Sequence, residues 1–313
     1  MDFGSMDPGK HVAIMEWPNC DDYLVSTLFP RAQRLPINIG GRNDSLLECL
    51  RPGVRCVFIH VDLTDTSSFP ADRDAITAFL RHRGIAMING DITNISKRRL
   101  QQACQACGLP SVALSGRRPA DDATTVIIKT NENYGGIPEQ RLHTALAAQP
   151  GIAAHEQGAT ENPNYRICQY GDLPADIWEN QDYVVERFVD NSRHLKFRCH
   201  VLMDRMVVSA VIDAAPVSRM EWGSERHEMY YAGGIRSAEA PAAAGAFSFV
   251  GPLADRIAVS IGVLRRHVKM NYGSIDVMAD DAGVCFPVDI NTTPYWGRAD
   301  LDAVVRYLRA SDC

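Results

Sequence analysis

The spacing of apolar and polar residues changes character near residue 111. Before that point the pattern predicts alternating strands and helices. Residues 55–63 (RCVFIHVDL) form a continuous apolar, β-branched run, as expected for a strand covered on both faces. Residues 71–84 (ADRDAITAFLRHRG) carry apolar side chains at helical intervals and stop at Gly84. Residues 85–90 (IAMING) return to strand character. This order predicts a parallel α/β unit. A further helix is predicted over 96–107, with Asn94 or Ser96 as its cap and Gly108 and Pro110 as its stop.

Beyond residue 111 the runs read as strands joined by turns. TTVIIKT (124–130) breaks at NENYGG, and DYVVERFVD (182–190) follows as a second strand. KFRCHVLMDRMVVSAVID (196–213) predicts a hairpin turning at Asp204-Arg205. Residues 214–251 are rich in Ala, Gly, Ser and Arg without a clear period, which predicts a long loop, either a lid or disordered. Within it, APAAAGA (240–246) is a flexible, low-complexity stretch. An amphipathic helix (253–270), a hairpin (274–294) turning at Asp280, Asp281 and Gly283, and a last helix (299–310) complete the pattern. No internal repeat is present.

Composition narrows the class. The chain has 313 residues, 46% hydrophobic and 22% charged, ordinary for a globular protein but too long for one core. Two or three subdomains are expected. The net charge is -6 and the basic residues are scattered, so neither a nucleic-acid nor an acidic-membrane surface is predicted. No apolar run approaches the roughly 20 residues that span a bilayer, and the first ten residues contain no apolar signal core. A cytoplasmic protein is expected. Nine cysteines, an odd number, point to free thiols. Cys104 and Cys107 lie on the predicted helix with no second pair to complete a zinc site, so they are expected to pack. His194, His200 and His227 lack ligand spacing and are expected to be structural.

The candidate chemistry is concentrated in the last hairpin. Asp289 and Asn291 are two apart and leave one face of their strand, and pairing across the turn brings Asp276 alongside. Three oxygen-bearing side chains on one face suit Mg²⁺, although any one such Asp also reads as part of the polar outer face of an antiparallel sheet. Lys97 and Lys129 offer ammonium charge to phosphate oxygens, although a lysine ending a buried strand also commonly snorkels to the surface. Gly135 and Gly136 in NENYGG let a backbone approach phosphates closely, or simply make a tight turn. GxxxxGK[ST], GxGxxG and GxSxG are all absent.

In chain order these pieces are Asn89 and Lys97 ahead of a helix ending in GLP, Lys129 with its glycine loop, VVERFVD, Arg198, and the Asp276/Asp289/Asn291 set. The series resembles the ATP-grasp superfamily, which includes glutathione synthetase and D-alanine–D-alanine ligase, over residues 85–297. The resemblance implies an α/β plus α+β architecture. A Rossmann-like subdomain (1–90) would precede a central ATP-grasp subdomain (91–189) and a C-terminal one with the metal hairpin (190–313), the last two sandwiching ATP. It further implies that Lys97, Lys129 and the Gly135–Gly136 loop hold phosphates, and that Glu186, Arg187, Phe188 and Val189 form the adenine hinge, with Asp190 toward the ribose. Lys129 and Arg198 would serve phosphoryl transfer, although Arg198 taken alone also reads as one half of a surface cross-strand ion pair, and Asp276, Asp289 and Asn291 would bind Mg²⁺.

Two positions depart from the family pattern: Lys196 stands where an Asp is frequent, and Asp289 where Glu is common. The implied activity is a carboxylate–amine ligase working through an acyl phosphate. A small-molecule kinase of the same fold and a non-catalytic nucleotide-binding protein are the alternatives. Expected partners are a small carboxylate and an amine, with a homodimer frequent among related enzymes. Substrate recognition is expected in the N-terminal part and in 214–251, where Arg219, Arg226, Arg236 and Gly233-Gly234 lie. Those arginines either grip a carboxylate or keep the loop solvated.

Overall fold

Strand β1 (Val12–Glu16) and strand β3 (Cys56–His60) are buried at every position, as the apolar run at 55–63 demands. They pair in parallel with each other, β1 with β2 (Gln33–Pro36) and β3 with β4 (Ala86–Ile88), giving the order β2-β1-β3-β4. Helices α1 (Leu24–Leu28) and α2 (Arg73–His82) belong to this α/β part. The computed structural model describes residues 8–17, 23–37, 44–61, 73–114, 122–132, 165–212, 225–233, 235–236, 250–294 and 302–309.

Helix α3 (Lys97–Ala106) is followed by an antiparallel sheet of β5 (Thr125–Thr130), β6 (Arg166–Gln169) and β7 (Tyr183–Arg187), in the order β6-β5-β7. The expected caps of α3 are not used as such. Ser96 makes no side-chain cap bond, and Asn94 accepts the Ser96 N–H at 2.9 Å. The orphan N–H groups of Lys97 and Arg98 instead donate to Asn131, to its carbonyl at 3.0 Å and to its Oδ1 at 3.1 Å. A partner 33 residues away replaces the local one, and it docks the start of α3 against the end of β5.

The third sheet runs β11-β10-β9-β8-β12-β13. Its strands are β8 (Leu195–Leu202), β9 (Arg205–Ile212), β10 (Glu225–Ala232), β11 (Ile235–Arg236), β12 (Tyr272–Ala279) and β13 (Cys285–Asn291). The hairpin predicted in this region forms, but its turn falls at Met203–Asp204, one residue earlier than expected, with Met203 at φ 55°. Strand β10 lies inside the stretch expected to be a loop. Its period of two is carried by Met229 and Tyr231 on one face and Glu228 and Tyr230 on the other, a signal that flanking Gly and Ala obscure.

One face of this sheet buries Phe197, Cys199, Val208, Ala210, Ile275 and Val277 under helix α4 (Val250–His267). On the other face, Leu202, Val207, Tyr230 and Tyr272 pack with Val12, Ile14, Phe58, α1 and helix α5 (Asp302–Arg309). Polar clasps fix this junction. Asn89, buried at φ 59°, donates to Tyr272 O at 2.8 Å and accepts the N–H groups of Asn271 and Tyr272. Thr292 Oγ1 donates to Val61 O at 2.8 Å. Asn89, one of the pieces of the family-like series, is thus a joint between sheets. Among the described residues, no helix is long and apolar enough to cross a membrane.

Candidate functional site

The last hairpin closes as predicted: Gly283 takes φ 75°, its N–H donates to Asp280 O at 2.8 Å, and Asp280 Oδ1 accepts the Val284 N–H. Asp276 then stands directly opposite Asp289, and Ser274 opposite Asn291. A register shift follows, since Val277 pairs with Pro287, so Val288 is an extra residue on β13. The bulge leaves Asp289 and Asn291 on the face of Asp276 while turning the strand beyond it. At Gly273 the two strands approach so closely that an added Cβ would lie 2.3 Å from Asn291 O. A side chain there would push away the strand end that carries Asn291.

Around this pair the structure gathers Arg198 and Lys97. Arg198 faces Asp276 across β8 and β12 and holds it in a two-pronged bond, Nε to Oδ1 at 2.7 Å and Nη2 to Oδ2 at 2.7 Å. The Lys97 ammonium is almost wholly buried, donates to Glu132 O at 2.8 Å, and lies 3.9 Å from Asp289 Oδ1. Asn291 Oδ1 accepts from the Thr293 N–H at 2.7 Å, which fixes the amide. Two carboxylates and one amide oxygen share a face backed by two cations. This is a hard-oxygen donor set that fits Mg²⁺. Among the described residues no group of three His, Cys, Asp or Glu converges, so the amide is needed to complete that set.

Across from it, on the three-stranded sheet, the Lys129 ammonium donates to Glu186 Oε2 at 2.6 Å. Both are buried, and Glu186 Oε1 has no hydrogen-bond partner among the described residues. A buried acceptor in that state costs free energy unless a ligand donor meets it. In the predicted hinge, the Arg187 N–H donates to Val112 O at 2.8 Å and the Phe188 N–H to Thr125 O at 3.1 Å. Those two groups are therefore committed to the fold. Val189 packs with Val112 and Phe286, flanked by Met278 and Val288, in a small apolar cluster between the end of β7 and the β12–β13 hairpin. The Arg187 guanidinium lies 4.6 Å from the centre of the Phe286 ring. Gly135 and Gly136 fall outside the described residues, as do Arg219 and most of 214–251.

Gln101 joins the two halves. It is 3% exposed, donates to Pro287 O at 2.9 Å, and accepts from Ser111 Oγ at 2.9 Å and Val112 N–H at 3.0 Å. One amide thus connects the bulged strand β13 to the segment that bonds the end of β7. Glu16, His60 and Arg34 form a second group that sequence reasoning missed. Glu16 and His60 pair in register at the carboxyl ends of β1 and β3, and the Glu16 carboxylate bonds Arg34 and lies 3.2 Å from His60 Nδ1. Burial holds the His60 imidazole below its ordinary pKa. In an open parallel sheet, ligands collect where the strand order reverses, here between β1 and β3. Each strand carries an ionisable residue at its last position within an otherwise apolar run, and that was the available signal. The Cys104 thiol, pushed up to about 12 chiefly by burial, packs as expected.

The fold has a counterpart among solved structures. A D-alanine–D-alanine ligase from Bacillus anthracis superposes with a TM-score of 0.50 over 95% of this chain and 93% of that one, at 11% identity. The chain has the ATP-grasp fold. The ATP-grasp ligase PsnB complexed with its minimal precursor aligns with 97% of the chain and 95% of its own, at 13% identity and a TM-score of 0.48. An L-amino acid ligase from Bacillus licheniformis aligns with 95% of the chain and 72% of its own, at 8% identity and a TM-score of 0.45. No family model and no curated protein matches the sequence. At such identities the ATP-grasp likeness is one of fold, and the residues at the site must carry the rest.

Proposed function

We propose that this protein is an ATP-dependent carboxylate–amine ligase that works through an acyl phosphate. The observation that carries the reading is the pair Asp276 and Asp289, set opposite each other and backed by Arg198 and Lys97. Two carboxylates placed directly across a sheet repel each other unless cations lie between them.

Asp276, Asp289 and Asn291 would hold Mg²⁺. Lys97 and Lys129 would take up phosphate charge, and Glu186 with the Val189 region would hold adenine against the apolar cluster of Val112 and Phe286. ATP and Mg²⁺ supply, when bound, the phosphoryl group and the screening of its charge. The chain needs no covalent nucleophile for this chemistry, because positioning and charge neutralisation account for most of such catalysis. Arg198 orients Asp276 and neutralises charge that shifts during transfer. The Gly135–Gly136 loop would cover the phosphates and exclude water. Carboxylate and amine would meet between this face and the Glu16–His60 end of the parallel sheet. In this reading 1–90 serves substrate, while 91–189 and 190–313 grip the nucleotide.

The test is a phosphate-release screen with ATP and Mg²⁺ over pools of amino acids and small carboxylates, with product analysis to separate an amide from a phosphoester. Asp289→Ala is expected to lower any turnover by about 100-fold or more, the scale of lost electrostatic stabilisation at such sites. Normal turnover in that variant would remove the metal assignment.

A further inference from the structure

The register of the six-stranded sheet extends the site beyond the metal pair. Asp289 pairs with Asp276, Asp276 with Arg198, Arg198 with Ser209, and Ser209 with Glu228. Directly paired residues point to the same side of a sheet, so these five side chains form one row across β13, β12, β8, β9 and β10. The row is anionic at both ends and cationic between, with a small hydroxyl beside the cation. The neighbouring row, where Val207 and Tyr230 pair, is closed by packing against the parallel sheet and α5. The charged row thus runs along the border of that packing, where a substrate reaching from the Glu16–His60 end would lie.

Two details mark the far end as more than a polar surface. Ser209 is fully buried, yet its hydroxyl has no hydrogen-bond partner among the described residues. It forms a floor between the two long side chains of Arg198 and Glu228. The Glu228 carboxylate is held by Tyr230, whose hydroxyl donates to Oε2 at 3.3 Å. Burial first, and then the Glu228 charge, push that phenol up to about 12, so it remains a donor.

We propose that Glu228, with Ser209 beneath it, reads a cationic group on the substrate, at a distance from the reacting group that the sheet itself sets. The inference deepens the ligase reading and rests on it. Arg198 and Glu228 are separated by two strand spacings, roughly 10 Å. The substrate class is therefore a carboxylate or amine that also carries an ammonium or guanidinium group about that far from the bond being made. A free basic amino acid and a basic residue within a peptide both present this chemistry.

The experiment pairs molecules of similar shape that differ in charge: arginine against citrulline, and lysine against norleucine, each free and as the central residue of a tripeptide. Binding is measured as the thermal shift of the intact protein with ADP and Mg²⁺, and turnover as phosphate release with ATP. The wild-type protein is expected to prefer the cationic member of each pair by about 30-fold, the scale of a charged hydrogen bond. Glu228→Gln should erase that preference, and Glu228→Lys should reverse it toward acidic analogues, while ADP binding is retained. Ser209→Ala, which fills no space and leaves no charge, should reduce the preference without abolishing it. Equal response to charged and neutral members in the wild type, or an unchanged preference in Glu228→Lys, would overturn the inference. Charge preference in binding without phosphate release from any pool would instead defeat the ligase reading alone. Free and peptide probes responding unequally identifies which source the site takes.

Discussion

Replacing Gln101 with leucine isolates one buried amide. The two side chains are close in volume, so the substitution leaves little cavity, and the effect comes from hydrogen bonding. In the native protein Gln101 satisfies Pro287 O at 2.9 Å and Val112 N–H at 3.0 Å, both in the interior. Leucine leaves both backbone groups without partners and frees Ser111. Each buried orphan costs about 1–3 kcal/mol. The added apolar contact returns about 1 kcal/mol. A net loss of about 3 kcal/mol is expected. Urea denaturation followed by tryptophan fluorescence measures it, with the slope against urea checked for constancy. Because Val112 O also accepts the Arg187 N–H, the loosened segment should weaken ADP affinity more than it alters phosphate release at saturating ATP. Gln101→Glu keeps the acceptor for Val112 and so should restore part of the stability, while placing a carboxylate against Pro287 O. A loss below about 1 kcal/mol in Gln101→Leu, within the range of an ordinary surface change, would refute the claim that this amide ties the Ser111–Val112 segment to strand β13.

Lys129→Met should be more harmful than its place near a strand end suggests, because the side chain is buried. It leaves Glu186, 1% exposed, as an unpaired buried charge, a loss of about 3–5 kcal/mol. The double variant Lys129→Met/Glu186→Gln should recover a good part of this in thermal denaturation, and failure to recover would show that the pair is not coupled. The His60 imidazole predicts a pH dependence. Its pKa in the folded protein is lowered by burial from the ordinary 6.5, despite the opposing pull of Glu16. The unfolded chain therefore binds a proton that the folded one does not, and stability falls as pH drops through about 6.5 and below. His60→Gln should flatten the difference between unfolding free energies at pH 7 and pH 5, and an unchanged difference would show that His60 is not held neutral.

Local pattern was enough to announce much of this protein. The alternation within 274–294 and the turn residues Asp280 and Gly283 already implied that Asp276, Asp289 and Asn291 share a face, because side-chain direction in a hairpin follows from period and turn alone. The parallel α/β start and the strands that carry Lys129 and the VVERFVD segment were legible from the same local patterns, whereas the ATP-grasp fold was implied by resemblance to a known family and not by period or turn. What the pattern could not supply was distance across sheets. That Arg198 clamps Asp276, that Lys97 reaches Asp289, and that Glu186 rather than solvent meets Lys129 depend on pairings between residues 57 to 192 positions apart. Such pairings are decided by which apolar faces bury against one another, a property of the assembled core. The same holds for strand β10, hidden among glycines and alanines until β9 offers it a register, and for Glu16 and His60, which gain meaning only when two parallel strands end side by side. Sequence determined which residues face together within an element; tertiary packing decided which elements face each other, because only burial on both sides selects among the many pairings that local geometry permits.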